Sequence, residues 1–327
     1  MRIISNCSVS ALADAAKTLI QGNLVAFPTE TVYGLGTDAS NKDAVTRLYA
    51  VKGRPSDHPL IVHISSDAQL DKWASEIPKY SIKLARNFWP GPMTLILPRT
   101  SLAQDFITGG QNNVGLRVPE HTVALALLKE FEKQGGLGIA APSANRFGKV
   151  SPTTADAVCD ELSDYLSKRD LILDGGACAV GVESTIIDCT KKKPTILRPG
   201  AVTKEAIEDT LGISMDFDSL TSVSNQVKAS GVLTSHYAPR AKVVLSGVPN
   251  AGDGLIALAS YATPAGVVRL AEPRTNEEYA KNLYEAFRLA DHKGLQRVFV
   301  IPPAGSGIAI AINDRLAKSA NTKSDSI

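Results

Sequence analysis

The groups that could do chemistry lie in five short segments of this 327-residue chain. Lys52-Gly53-Arg54-Pro55-Ser56-Asp57-His58-Pro59 puts two cations and a histidine on one short stretch. Pro55 and Pro59 bias Arg54 and His58 toward extended backbone. Fixed basic groups suit a polyphosphate: arginine grips it bidentately and lysine supplies a point charge. A cation at a helix C-terminus is also favoured by the helix dipole, which accounts for Lys52 well and for Arg54 poorly. Arg117, in Val114-Gly115-Leu116-Arg117-Val118-Pro119, and Arg198, in Ile196-Leu197-Arg198-Pro199-Gly200, both stand near strand ends. An arginine within an apolar strand is costly to bury unpaired, so Arg117 either reaches solvent at an edge or grips an anion.

The other segments offer small polar groups. Phe27-Pro28-Thr29-Glu30-Thr31-Val32-Tyr33-Gly34-Leu35-Gly36 reads as a strand end followed by a hydroxyl-rich turn. It is either a ligand-facing loop or an ordinary glycine turn with capping threonines. Ile139-Ala140-Ala141-Pro142-Ser143-Ala144-Asn145 ends a small-residue strand where a ligand could approach the backbone closely. Ser151 and Thr153 fit the start of the next helix as caps. Gly181-Val182-Glu183-Ser184-Thr185-Ile186-Ile187-Asp188 is the fifth segment. His63, inside Leu60-Ile61-Val62-His63-Ile64, reads on its own as a core histidine. The sequence has no Walker loop, GxGxxG fingerprint, GxSxG elbow or metal-binding cluster. A nucleotide enzyme built this way would hold triphosphate with side-chain cations and magnesium.

Periodic apolar residues supply the elements that must position these groups. Residues 10–21 read as a helix ended at Gly22, and Leu24 to Phe27 as a strand stopped by Pro28. Asn41 or Asp43 caps a helix running to Val51. Helices are expected at 67–75, 79–88, 121–134 and 153–162. Strands are expected at 60–64, 93–97, 114–118, 137–141, 171–174, 185–188 and 195–198. The mixture is irregular, so the fold is α/β (α+β) around a large twisted mixed sheet. Residues 214–235 are rich in Ser, Thr, Asp and Asn and weakly periodic, as a linker would be. Strands at 242–245, 255–259, 267–270 and 297–301, with helices at 275–291 and 306–319, suggest a smaller Rossmann-like α/β domain. The expected division is 1–212, a linker or lid over 213–240, and 241–327.

Composition narrows the classes. Hydrophobic residues make up 44% and charged residues 21%, a globular balance. The net charge is +2, with residues 1–212 balanced and 213–327 carrying the excess. A bulk polycation for nucleic acid is therefore not expected. None of the four cysteines forms a C-x-x-C pair, so no structural zinc is expected. Polar residues interrupt the N-terminus at once, and no apolar run reaches the ~20 residues of a membrane span. The expectation is a cytoplasmic protein without a membrane partner.

Taken together, Pro-Thr-Glu-Thr-Val-Tyr-Gly-Leu, Lys-Gly-Arg-Pro, Ala-Pro-Ser-Ala-Asn, Glu-Ser-Thr-Ile and Leu-Arg-Pro-Gly resemble, in type and order, the threonylcarbamoyl-AMP synthases of the YrdC type. His236-Tyr237-Ala238-Pro239, Pro302-Pro303, Gly305, Gly307 and Asn313-Asp314-Arg315-Leu316 resemble the linker and extra C-terminal domain of the family's longer members. The resemblance implies a YrdC-like catalytic domain that joins L-threonine, bicarbonate and ATP into threonylcarbamoyl-AMP and pyrophosphate, for threonylcarbamoyladenosine in tRNA. It implies that Thr31, His63, Arg117, Ala141 and Ser184 hold threonine, Arg117 pairing its carboxylate. It assigns Lys52, Arg54, His58, Asn113, Ser143, Asn145, Ser151, Arg198 and Tyr237 to the nucleotide, with Lys52, Arg54 and Arg198 carrying catalysis. Magnesium would come with the ATP phosphates, and a downstream transferase acting on tRNA would take the product, with weak tRNA contact. The alternative is a module that binds double-stranded RNA or tRNA without catalysis.

Overall fold

The computed structural model describes residues 1–215, 227–229 and 237–321; most of the expected linker, 216–226 and 230–236, lies outside them. Ten strands build the larger sheet: β1 (Arg2–Ile4), β2 (Val25–Phe27), β3 (Gly34–Asp38), β4 (Ile61–His63), β5 (Met93–Pro98), β6 (Asn113–Arg117), β7 (Ile139–Ala140), β8 (Leu171–Leu173), β9 (Thr185–Asp188) and β10 (Thr195–Arg198). Their order across the sheet is β1-β8-β2-β3-β7-β4-β6-β5-β9-β10. Pairing is mixed: β4 runs parallel to β6, whereas β7 pairs antiparallel with both β3 and β4. Helices α1 (Val9–Ile20), α2 (Lys42–Lys52), α3 (Leu70–Trp73), α4 (Lys79–Phe88), α5 (Asp105–Thr108), α6 (Thr122–Lys133), α7 (Ala155–Leu162) and α8 (Lys204–Leu211) accompany it. Leu12, Ala16 and Leu19 of α1 share one buried cluster with Leu127 and Phe131 of α6. A second cluster gathers Val45 and Leu48 of α2, Trp73 of α3 and Leu84 of α4.

Local signals decide where the chemical segments emerge. Asn41 accepts a hydrogen bond from the Ala44 N–H and starts α2, and Gly53, left-handed at φ 59°, ends it. The Lys-Gly-Arg-Pro loop therefore leaves directly from a helix terminus. Several expectations differ. Residues 34–38 continue as β3 rather than remaining a turn, because Gly34 to Gly36 pair back onto β2. The expected helix at 67–75 is split into a 3₁₀ turn over 67–69 and the single turn α3. Thr154, not Ser151 or Thr153, caps α7 through the Ala157 N–H. The elements β1, α5 and α8 were not foreseen; each is short, so too few residues repeat for its period to be read.

Four parallel strands form a second sheet: β11 (Lys242–Val244), β12 (Gly254–Ile256), β13 (Val268–Ala271) and β14 (Arg297–Val300), in the order β11-β14-β12-β13. Helices α9 (Asn276–His292) and α10 (Ile308–Ala320) pack on it. Parallel strands need long crossovers, and α9 carries the chain from β13 at the sheet edge past β12 to β14. Both helices also face the larger body. One apolar cluster runs through the junction, joining Val32, Val150 and Val182 to Tyr237, Ala280, Tyr284 and Ile312. Gly181 marks the closest approach: a β-carbon there would lie 2.4 Å from the Lys281 Cα and 2.5 Å from the Ala280 carbonyl oxygen. Its φ of +84° independently favours glycine. Among the described residues no helix is long and apolar enough to cross a membrane.

Candidate active site

The strand ends of the larger sheet converge on one cavity. Thr31, Arg54, His63, Arg117, Ala141, Ser143, Ser184, Arg198 and Tyr237 line it, together with Thr29, Gly34, Pro142 and Glu183. Nine residues that the sequence singled out thus share one space, although they come from segments up to two hundred residues apart. Parallel pairing of β4 with β6 puts His63 opposite Arg117. The antiparallel bridge between Gly34 and Ser143 brings the Thr-Glu-Thr and Ala-Pro-Ser segments side by side.

The cavity is built around buried cations. Arg54, Arg117 and Arg198 are each less than a tenth exposed. Arg54 donates from Nη2 to the Pro59 carbonyl at 3.0 Å. Arg198 donates from Nε and Nη2 to the Ser184 carbonyl at 3.1 and 2.9 Å, and from Nη2 to Ser184 Oγ at 3.1 Å. Burial holds both guanidiniums below their usual pKa; Arg198 adds to the lowering at Arg54, and Arg315 to that at Arg198. Buried like charges across a cavity are costly, and an anion between them removes that cost.

Arg117 settles the choice between solvent and anion in favour of an anion from its own chain. Its Nη2 lies 2.7 Å from Glu30 Oε1 and donates to Thr31 Oγ1 at 2.9 Å. The other Glu30 oxygen accepts the Glu120 N–H at 3.0 Å. Arg117 Nε and His63 Nδ1 are buried without a hydrogen-bond partner. Burial, and then the neighbouring Arg117, push the His63 imidazole down to about 3, so it is neutral near pH 7. A neutral imidazole and a guanidinium with one unused N–H form a small polar wall beside Thr31.

Five expected residues lie outside this cavity. Lys52 is buried behind it, its ammonium donating to the carbonyls of Ser143 and Asn145. Burial lowers its pKa well below the usual lysine value, and Arg54 adds to this. Here Lys52 braces the Ala-Pro-Ser-Ala-Asn turn rather than presenting a point charge. Asn145 donates from Nδ2 to the Arg146 and Lys149 carbonyls and keeps Oδ1 buried and unpartnered. Ser151 donates to Glu183 Oε1 at 2.6 Å. His58 packs edge-on to Phe147 with ring centroids 5.3 Å apart. Asn113 lines a neighbouring cavity with Pro59, Gln111 and Lys228; the two cavities share Ile61.

Two carboxylates in the quoted segments received no role from the sequence, and both prove central. Glu30 holds Arg117. Glu183 is buried and receives hydrogen bonds from Ser151, from the Tyr284 hydroxyl at 3.1 and 3.0 Å, and from Arg315 Nε at 2.7 Å. The usable signal was a carboxylate directly at the entry to the apolar strand Thr185 to Asp188, where burial would require a cation. Burial pushes the Glu183 carboxyl up, but Arg315, then Arg198, with hydrogen bonds from Ser151 and Arg315, bring it down to about 2. This depressed value stabilises the fold above the unfolded carboxyl's 4.5, and the contribution is lost as pH falls through about 2. Thermal unfolding between pH 5 and 2 should therefore show falling stability, and Glu183→Gln should flatten part of that fall. An unchanged slope in Glu183→Gln would remove this group from the account.

Known proteins resemble the chain along nearly all its length. A family model described as telomere recombination, Sua5/YciO/YrdC, matches residues 17–200, and one described as threonylcarbamoyl-AMP synthase, C-terminal domain, matches 202–321. A threonylcarbamoyl-AMP synthase of Pyrococcus abyssi is 40% identical over 324 residues, covering 93% of this chain and 92% of that protein. The Bacillus subtilis protein of the same name is 38% identical, covering 94% and 92%. The crystal structure of P. abyssi Sua5 complexed with L-threonine matches with a TM-score of 0.88 at 37% identity, covering 98% of each chain. E. coli YciO, at 22% identity and a TM-score of 0.51, shares the fold over 61% of this chain.

Proposed function

Because this chain belongs to the threonylcarbamoyl-AMP synthase family, in its form with a C-terminal domain, we propose how its own residues carry out the adenylation. The enzyme transfers the AMP part of ATP and uses L-threonine as the acceptor's source. The observation that carries the assignment of roles is the meeting of Arg54 and Arg198 on the cavity that Thr31, His63 and Arg117 also line.

In this reading L-threonine lies against Thr31, His63, Arg117, Ser184 and the Ala141 backbone. Its carboxylate takes up the unused donor of Arg117, whose other contact remains with Glu30. The triphosphate lies toward Arg54 and Arg198, with Ser143 and Tyr237 at its border. Lys52, Asn145 and Ser151 act from behind by fixing the turns that face the nucleotide, and Asn113 and His58 border the neighbouring space. Magnesium would arrive with ATP, held by the phosphate oxygens, and would neutralise part of the triphosphate charge.

The threonine nitrogen donates its lone pair to CO2 derived from bicarbonate, forming an N–C bond and losing a proton. An oxygen of the resulting carbamate attacks the α-phosphorus of ATP, and the bond from that phosphorus to the bridging oxygen breaks. Pyrophosphate leaves with the electron pair, and the carbamate remains as a mixed anhydride with AMP. No enzyme nucleophile takes part. The protein contributes orientation and cationic stabilisation of charge on the phosphates. Such an anhydride hydrolyses readily, so a transferase acting on tRNA adenosine must follow in the same compartment, the cytoplasm, with at most weak tRNA contact by this chain.

Pyrophosphate release from MgATP by the purified protein tests this directly. Release should require both L-threonine and bicarbonate. Release needing neither, or salt-sensitive tRNA binding with no release, would replace the reaction with a binding role.

A further inference from the structure

The C-terminal body does more than cover the junction. Arg315, on α10, is fully buried, and its Nε reaches 2.7 Å to Glu183 across the junction, with Nη2 3.4 Å from the Glu183 carbonyl. Asp314 takes its Nη1 and also pairs with Lys318, which fixes the guanidinium from its own helix. Tyr284, on α9, donates to both Glu183 oxygens. Tyr237 lies between: its ring stacks on Tyr284 at 5.8 Å, and the Arg315 guanidinium sits 5.3 Å from its centroid. On the other side, Glu183 accepts from Ser151 and directly precedes Ser184, whose carbonyl and hydroxyl Arg198 grips.

We propose that Arg315 is a positioning residue for the adenylation: from the C-terminal body it fixes Glu183, and through it Ser151, Ser184 and the Tyr237 ring, in the arrangement that binds the substrates. This rests on the roles assigned above to Ser184 and Arg198. A purely structural ion pair would need none of this connectivity. The same junction could be held by the apolar cluster alone, and a buried ion pair is by itself weak support for stability. Here the carboxylate itself stands in the cavity wall beside Ser184, and Ser151 holds it from behind. The depressed carboxyl of Glu183 agrees with a group kept ionised for its contacts rather than tolerated.

The test uses the full chain and the variants Arg315→Met, Arg315→Lys, Glu183→Gln and the double Glu183→Gln/Arg315→Met. Pyrophosphate release gives KM and kcat from pH 5 to 8.5, and calorimetry gives L-threonine affinity without turnover. Arg315→Met should weaken L-threonine binding and raise its KM by about 10- to 100-fold. Arg315→Lys should recover part of this, since it keeps the charge but not the fork. In Arg315→Met the carboxyl keeps, among the described residues, Arg198 nearby, the hydrogen bonds from Ser151 and Tyr284, and the Tyr237 hydroxyl beside it. Its pKa rises, so activity should fall toward pH 5, where the parent enzyme keeps this group charged. On the Glu183→Gln background, Arg315→Met should add little. If Arg315→Met does not fold, the double variant, which strands no buried charge, is compared with Glu183→Gln instead. Lowered thermal stability with parental L-threonine affinity, KM and pH profile would overturn the proposal. So would an Arg315→Met effect of equal size on both backgrounds. Loss of turnover in the parent enzyme, with L-threonine binding intact, would overturn the reaction and leave the binding comparison to decide on Arg315.

Discussion

Arg198→Ala should lower threonine-dependent pyrophosphate release by at least about 100-fold, the scale of removing one preorganised donor from developing charge. Two losses combine. The guanidinium is one of the two that meet across the cavity from different segments, so the phosphates lose part of their electrostatic clamp. It also grips the Ser184 carbonyl and hydroxyl, so the threonine wall loses its brace. The second loss has a stability cost of about 1–3 kcal/mol, because a buried carbonyl is left unsatisfied. Arg198→Lys separates the effects, since it restores charge without the fork. Steady-state kinetics beside thermal unfolding provide the check. Turnover within a few-fold of the parent in Arg198→Ala would take the phosphate clamp away from this residue.

Gly200→Ala should be nearly as damaging, although it adds one methyl group. A β-carbon at Gly200 would lie 2.3 Å from the Thr185 nitrogen, 2.7 Å from the Glu183 carbonyl oxygen and 2.7 Å from the Ser184 carbonyl carbon. All three are backbone atoms, so no side chain can swing aside. Either the exit of β10 or the Glu183-Ser184-Thr185 segment must move. Overpacking of this kind costs about 1–3 kcal/mol. A shift of even half an ångström at Ser184 would also disturb Arg198, so activity should fall by about 10-fold or more. Thermal unfolding and L-threonine KM check this together; parental values for both would mean that the segment relaxes freely.

The final glycine of Leu-Arg-Pro-Gly therefore has a physical reason that spacing could not supply. Its neighbour is 15 to 17 residues back along the chain, across a strand pair with a shifted register between Ile196 and Arg198. The legible features were those with local causes. Helix α2 was legible from a cap at Asn41 or Asp43 and the apolar spacing of Val45 and Leu48; Asn41 makes the cap, and Gly53 ends the helix just past the expected Val51. The cations of the site were legible as types, since Arg54, Arg117 and Arg198 stand where surface charge is a poor explanation. Their partners were not. Nothing near Arg117 in sequence indicates Glu30, and nothing near Glu183 indicates Arg315. Lys52 was the instructive case: its place at a helix terminus was readable, but the direction of its ammonium depended on a turn ninety residues away. Residues 34–38 looked like a turn because two glycines weaken strand propensity, and pairing with β2 and β7 overrides it.

The distance in sequence between Glu183 and Arg315, 132 residues, also sets an order of events in a chain made from its N-terminus. At roughly 5–20 residues per second, the last partner of that carboxylate is synthesised on the order of ten seconds after the carboxylate itself. The larger sheet needs nothing beyond Arg198 for its strands, so it can close while α10 is still absent. Strand β14, central in the smaller sheet, is also its last strand, so that sheet too is completed late. A nascent first body would thus hold this acid at its cavity wall with Ser151 and Arg198 but without Arg315 or Tyr284. Competence for adenylation would then arrive with α10 rather than accumulate along the way.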